Sequence, residues 1–467
     1  MVDYLESIRS GKGLTRRQAL SMIVHLSIPV ILAQISSIIM QYIDASMVGH
    51  INVNASASIG LISTTTWLLG NMVSALAIGF YVQVAQQIGA NKNQAARNIV
   101  RYGLITNLVL SLILMAISIL IAGPLPHWLG GNPEINAQAS AYFFVFAFTV
   151  PILAINYTVA GMLQSSGNMR VPSLLSILMC VLDVVFNFFL IFPTRPIQMF
   201  GRTFVVWGFN LGVVGAALGT LLAEIVAGGL MAYFLLTKSP SLHLRKEGYV
   251  TGYSDVLKRA LKIALPVGVE SIAVNFAYIA QTIIVSPLGT VAIAAHSFAV
   301  TAESLCYMPG YGIGAAATTI VGQSIGAGQR HLAIRLGWLS TAFGVALMTG
   351  TGILMYIFAP AMIGMLSPDP QVIELGARLL RIEAFVEPLY AASIVILGVF
   401  RGDEDTLVPG IMNLASMWLV RIPLAVLLVG SFGLIGVWIA MASELAVRGL
   451  IFIGRFWLKT RRTLKSV

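Results

Sequence analysis

Apolar runs longer than a bilayer is thick recur along this chain, separated only by short polar punctuation. Roughly 20 apolar residues wound as a helix cross the hydrocarbon and satisfy every backbone N–H and C=O internally. Open sheets and exposed loops cannot do this, so the pattern restricts the chain to a bundle of membrane-spanning helices. Composition agrees: 57% of the 467 residues are hydrophobic and 10% are charged, where a soluble domain carries about 25% charged residues. Mean hydropathy is +0.87. A soluble enzyme is excluded, and the length has room for about a dozen spans.

The runs place spans at 21–46, 58–83, 98–123, 137–162, 172–193, 210–236, 258–285, 293–320, 332–360, 373–399, 408–429 and 432–457. The net charge of +10 does not form a basic-aromatic surface for nucleic acid; the cations flank the spans. Of the 28 Lys and Arg, 22 fall at one end of the spans, among them Arg16, Arg17, Lys92, Arg170, Arg259, Arg335 and Arg462; only Arg195 and Arg202 lie in the opposite loops. The positive-inside rule then puts both termini in the cytoplasm of a multi-pass protein of the cytoplasmic (inner) membrane. Cys180 and Cys306 lie within apolar runs and read as buried free thiols. Arg16 and Arg17 precede a run too long for a cleaved leader, so it reads as the first span.

The chain repeats itself. An offset of 237, the interval from Pro29 to Pro266, also relates Val48 to Val285, "QQIGA" at 86–90 to "QSIGA" at 323–327, Pro151 to Pro388 and Pro172 to Pro409. After the 194–209 loop the offset falls to 221, where "LGVVG" meets "FGLIG"; one outer loop carries the sixteen-residue difference. The expected architecture is all-α: twelve transmembrane helices in two six-helix bundles related by an axis along the membrane normal. The expected domains are 1–236, a polar cytoplasmic linker 237–257, and 258–467. Halves of this kind enclose a midplane cavity that rocking exposes to each side in turn.

Intramembrane ionisable residues cost roughly 2.5–3.5 kcal/mol each on insertion scales, so each needs an account. Asp183 and Asn187 sit four apart on one face of span 5; Asp44 lies in span 1, and Thr220 in span 6 is at comparable height. Two carboxylates, an amide oxygen and a hydroxyl can hold a small hard cation, and the carboxylates can instead carry protons. Either is a coupling site, with Na+ or H+ as the ion and no other cofactor. In the second half, Glu270 has no basic residue within four positions on its helix and is a candidate second acidic or substrate-binding site, with Gln34 and Tyr278. Glu383 and Glu387 read as a structural cluster with Arg381 and Arg421, and Glu444 with Arg448 as an i, i+4 pair. Trp67, Tyr157, Phe276, Tyr278, Tyr307 and Met308 suit a permissive pocket for flat cations, or plain packing. Pro29 should bend span 1.

"SIPVILAQ", "YIDASMVGH", "QQIGA", "GQSIGAG", "LGTVAIAAHSFAV" and "GMLQSSGNMRVP" together resemble the multidrug and toxic-compound extrusion (MATE) family over nearly the whole chain. The resemblance implies a V-shaped pair of bundles and secondary antiport, in which entry of sodium ions or protons drives export of cationic, amphipathic compounds. It also implies that the acidic residue of span 1 is Asp44, the span 5 pair Asp183 and Asn187, and the span 6 hydroxyl Thr220. Many relatives have Asn first and Asp four residues later; here the order is reversed, which moves the carboxylate by roughly 6 Å along the helix.

A rival reading within the superfamily is a lipid-linked precursor flippase, which would line its cavity with Arg or Lys; the central charges here are mostly acidic. An intramembrane enzyme would need a catalytic constellation, yet the six His are scattered, with no HExxH. No catalytic residue, and hence no enzyme, is expected. A channel fits poorly with an asymmetric set of acids on a twofold repeat. The expected partners are small organic cations and the bilayer, and the expected state is a monomer, because the repeat already supplies two bundles.

Overall fold

The computed structural model describes residues 4–10, 14–199, 202–244 and 252–465; Lys12, Arg245, Lys246 and part of the 237–257 linker lie outside them. Among the described residues, ten helices are long and apolar enough to cross a membrane, and a bent pair makes eleven. The last, Leu407–Thr463, has 57 residues, about twice what a bilayer needs. Gly433, at φ 56° and ψ −137°, breaks it and divides it into spans 11 and 12. Twelve spans result, as the apolar runs predict.

Spans 1 to 6 are Arg16–Gly49, Val53–Gly89, Asn93–Ile121, Pro133–Ser165, Arg170–Ile191 and Gly212–Tyr233, the last continuing as a π-helical turn to Lys238. Spans 7 to 9 are Tyr253–Val285, Thr290–Gly326 and Arg330–Gly364. Span 10 is Pro370–Ala384 plus Glu387–Gly402, bent by 60°, so the continuous helix expected over 373–399 is corrected. Pro388 supplies the cause: it lacks an N–H and its ring displaces the carbonyl four residues back. Span 1 runs unbroken through Pro29. Many helices exceed the apolar runs. Span 8 has 37 residues, about 55 Å, and projects beyond the hydrocarbon.

The spans pack as two six-helix bundles. In the first, span 2 packs on spans 3 and 4, span 4 on span 6, and span 5 on spans 1 and 6; in the second, span 8 packs on spans 9 and 10, span 10 on span 12, and span 11 on spans 7 and 12. Between bundles, span 1 meets span 8, span 2 meets span 7, and span 2 meets span 8. Exchanging the halves maps this set of contacts onto itself. Even the turns repeat: Asn91 (φ 58°) and Gly328 (φ 76°) close spans 2 and 8, and Gly167 (φ 92°) and Glu404 (φ 59°) close spans 4 and 10. Each pair is 237 apart. Leu120, Ile283, Leu419 and Leu427 are exposed on the outside, where acyl chains solvate them.

Both chain ends lie on one side. Arg335, at the start of span 9, donates to the Leu14 carbonyl, and Trp338 donates to Thr460 near the end of span 12. We call this the terminus-bearing side. On the far side the sixteen-residue excess folds as an antiparallel hairpin, Pro193–Met199 against Arg202–Phe209, with Arg195 opposite Val206. It is a small departure from an all-helical chain. Alternative pairing within a hairpin satisfies backbone groups that no helix there satisfies.

Candidate functional site

Spans 1, 5 and 6 bring Asp44, Asp183, Asn187 and Thr220 together. Asp183 and Asn187 are completely buried, and Asp44 is half-buried. The Asn187 amide nitrogen donates to Asp44 Oδ1 at 2.9 Å and to Asp183 Oδ2 at 3.0 Å. Asn187 therefore uses both its protons to hold two carboxyl groups on one centre. The Thr220 hydroxyl donates to the Ala216 carbonyl at 3.2 Å and lies near Asp183. Asp183 Oδ1 and Asn187 Oδ1 have no hydrogen-bond partner in the protein. Buried oxygens left this way call for a ligand, and an all-oxygen set fits a small hard cation or a proton shared between the carboxyls.

Local sequence explains the closeness. Gly219 on span 6 lies under Asn187, where a Cβ would overlap the amide oxygen. Small residues let transmembrane helices approach to this distance.

The repeat shows that only one half carries this set. At the same offsets, Gln281 stands where Asp44 does, Val420 where Asp183 does, and Met441 where Thr220 does. Gln281 Nε2 still lies 3.7 Å from Met441 Sδ, so the contact persists without the charge.

The second half holds two acidic groupings of different character. Glu270 is buried and accepts from Asn413 Nδ2 at 2.5 Å; Asn413 Oδ1 accepts from Arg448 at 2.8 Å. Arg448 and Arg421 both bond Glu444, at 2.9 Å and 2.6 Å, and Ser416 donates to Glu444 as well. Two acids and two bases balance in this network. Glu270 is thus one amide away from a cation that its own helix does not reveal. The second grouping is Glu303, Glu383 and Glu387, all buried. Neither carboxyl of Glu383 or Glu387 has a hydrogen-bonded oxygen. Arg381 turns outward over Tyr356 at 5.6 Å, and Arg421 is engaged by Glu444. The ion-pair cluster expected for Glu383 and Glu387 is therefore corrected. Among the described residues these three buried carboxyls form no ion pair, and with Arg421 bound to Glu444 they require protons or a cation for charge balance. Pro388, which breaks span 10 between the two glutamates, and the four-residue spacing of Glu383 and Glu387 were the sequence signals for this grouping.

Glu270 and Tyr278 lie on span 7 and Gln34 on span 1. Gln34 stands ten residues from Asp44, about 15 Å along span 1, and Tyr278 stands eight residues beyond Glu270 with its side chain 51% exposed. Tyr307 packs against Tyr311 and Tyr390 at ring distances of 6.0 and 5.6 Å. Trp67, Tyr157 and Phe276 are exposed. Cys180 and Cys306 are buried free thiols, as read from the sequence. Among the described residues no three His, Cys, Asp or Glu side chains form a metal-binding group.

The MatE family profile matches the chain twice, over residues 29–189 and 266–427. The two matches begin at the residues that define the repeat, and together they cover more than half of the chain. The chain belongs to the MATE family of transporters. Over 464 residues this MATE transporter is 28% identical to a probable multidrug resistance protein NorM of Thermotoga maritima, covering 95% of each chain. It is 25% identical over 417 residues to the uncharacterized transporter YisQ of Bacillus subtilis, covering 88% of this chain and 89% of that one. Its fold is similar to that of a MATE protein crystallised in complex with MaL6, with a TM-score of 0.89 at 19% identity over all of both chains. A transporter of the MOP superfamily from Pyrococcus furiosus has the same fold, with a TM-score of 0.87 at 19% identity over 99% of this chain and 98% of that one. That structure is described as having a binding pocket of reversed polarity that suggests a different function.

Proposed function

We propose that this protein is a cation-coupled multidrug exporter of the cytoplasmic membrane, with both termini in the cytoplasm. It exchanges H+ or Na+ for cationic, amphipathic compounds by rocking of the halves 1–236 and 258–467 about the 237–257 linker, and it acts as a monomer. One observation carries this reading: Asp44 and Asp183 meet on Asn187 in a buried site with two oxygens left unpaired. Such a site binds its ion strongly only when dry and releases it when opened to water, which is what coupling to a conformational cycle requires. The name of the Thermotoga relative supports drugs as cargo. The pairing of Arg421 and Arg448 with Glu444 supports it further, because these two buried cations are not available to an anionic lipid pyrophosphate.

The test is efflux of a fluorescent lipophilic cation from proteoliposomes, with sodium and proton gradients imposed separately. Transport following one gradient, and lost in Asp44→Asn, is expected and names the coupling ion. Indifference to both gradients in the wild type would turn the assignment to the lipid-precursor flippase.

A further inference from the structure

The "QQIGA" and "QSIGA" motifs lie far from the carboxylates, at the ends of spans 2 and 8 on the terminus-bearing side. The first residue of each motif, Gln86 in one and Gln323 in the other, makes contacts that the transport reading leaves unexplained. Gln86 is buried, and its Nε2 donates across the bundle boundary to the Gly402 carbonyl at 3.2 Å. Gln323, fully buried, donates back across the boundary to the Ser165 carbonyl at 2.7 Å. Gln86 and Gln323 are 237 apart, and so are Ser165 and Gly402. Ser165 and Gly402 are the last helical residues of spans 4 and 10. Carbonyls at a helix C-terminus have no partner within the helix. Each half therefore caps a helix of the other half, through the same side chain at the same place.

The amide oxygens are held too. Arg259 donates to Gln86 Oε1 at 2.6 Å and pairs with Glu404 at 2.6 Å; Arg9 lies 3.4 Å from Gln323 Oε1. Glu404 occupies a left-handed position that its counterpart Gly167 fills without strain, so the carboxylate that anchors Arg259 is placed there at some conformational cost. Between the two glutamines the helices touch. A Cβ at Gly89 would overlap the Gln323 carbonyl, one at Gly326 would overlap the Gln86 carbonyl, and one at Gly322 would sit 3.0 Å from Ala85 Cβ.

We propose that Gln86 and Gln323 form a paired latch that seals the terminus-bearing side of the transporter and must open for the cavity to face that side. Each cross-bundle hydrogen bond is exchanged for water when the halves part, so its net worth is modest. A gate that cycles needs such closures: sealed by packing, specified by hydrogen bonds, and reversible. As a gate the pair rests on the transport reading, whereas its closure is measurable without any transport.

The experiment uses the full chain in nanodiscs with Ala316→Cys, a fully buried position at the boundary with Val30 and Met169. It lies ten residues, about 15 Å, deeper than Gly326. A polar maleimide reports its exposure, with the protein lacking the added thiol as background, since Cys180 and Cys306 are buried. Gln86→Met and Gln323→Met, which keep the side-chain volume, are each expected to raise the labelling rate roughly fivefold, the equivalent of one lost hydrogen bond. An unchanged rate in either variant overturns the latch. A second measurement does not depend on those variants. Oxidation of the Ala85→Cys/Gly322→Cys pair is expected to join spans 2 and 8, stop transport in proteoliposomes and release it on reduction. A pair that fails to join, or a joined protein that transports normally, refutes the proposal.

Discussion

Asp183 sits at zero exposure beside a second carboxyl, and the Asn187 amide bridges the two. Removing either charge alters what that centre can hold without altering its shape. Asp44→Asn and Asp183→Asn are therefore each expected to abolish gradient-driven efflux while the protein still elutes as a folded species; normal efflux by both would eliminate the coupling site. Arg421 presents the opposite case. It lies in a π-helical turn of span 11, buried, with Nε and Nη2 both on Glu444. Truncating one partner of a buried pair leaves the other uncompensated, at about 3–5 kcal/mol, whereas replacing both by apolar groups of similar volume costs far less. Arg421→Ala should show a large drop in thermal stability, and Arg421→Leu/Glu444→Leu a smaller one, with Arg448 left to its bond to Asn413 Oδ1. Equal losses in the two proteins would mean that packing, not charge balance, sets the value of the pair.

Between elements, distance is set by small residues and turns. Gly219→Ala places a methyl group against Asn187, so the amide must leave the two carboxyls although every candidate ligand remains. Efflux is expected to fall at least tenfold in this variant, as for a positional error of about 1 Å at a reacting centre; wild-type efflux would show that span 6 can shift instead. At the turn after span 10, Asp405 accepts from Arg455 at 2.5 Å and from Lys459 at 3.1 Å, and Asp403 pairs with Lys459. Burial alone would raise the Asp405 carboxyl, but the Lys459 ammonium and the Arg455 guanidinium outweigh it and hold it below the ordinary aspartate value. A depressed carboxyl stabilises the fold above its unfolded pKa of about 4 and loses that contribution as pH falls through its folded value. Amide exchange near residues 455–463 should therefore be faster in Asp405→Asn at pH 7, with wild type approaching the variant as the pH drops below about 4. A difference that persists in acid would place the effect elsewhere.

At the scale of the whole molecule, a twofold scaffold carries onefold chemistry. The backbone turns, the bundle contacts and the paired glutamines obey the repeat. The acids do not: Asp44 and Asp183 have Gln281 and Val420 as counterparts, and Glu303, Glu383 and Glu387 face Thr66, Phe146 and Val150. In the rocking cycle proposed above, a symmetric scaffold with asymmetric charges would let one motion do different work on the two halves. The bundles meet chiefly through spans 1, 2, 7 and 8, and the stretch between Lys238 and Tyr253 joins them covalently. Fragments 1–244 and 245–467, produced together, should assemble and restore efflux; fragments that insert but never associate would show the linker to be essential.

Twelve spans, their order, the twofold repeat and the Asp183–Asn187 face were all legible in the chain. They depend on hydrophobicity and helical periodicity, which are local and leave a mark at every residue. Asp44 and Thr220 entered as partners at a comparable height because span direction and length are legible too. What the sequence left undecided was pairing across space. Glu270 looked uncommitted because its cation, Arg448, comes through Asn413 from another helix; Glu383 and Glu387 looked paired because Arg381 is near in sequence and Arg421 lies on the next span. Gln86 and Gln323 were visible only as a motif until the far ends of spans 4 and 10 met them. A buried polar group takes its meaning from whatever packing brings within 3 Å, and only the tertiary structure decides that.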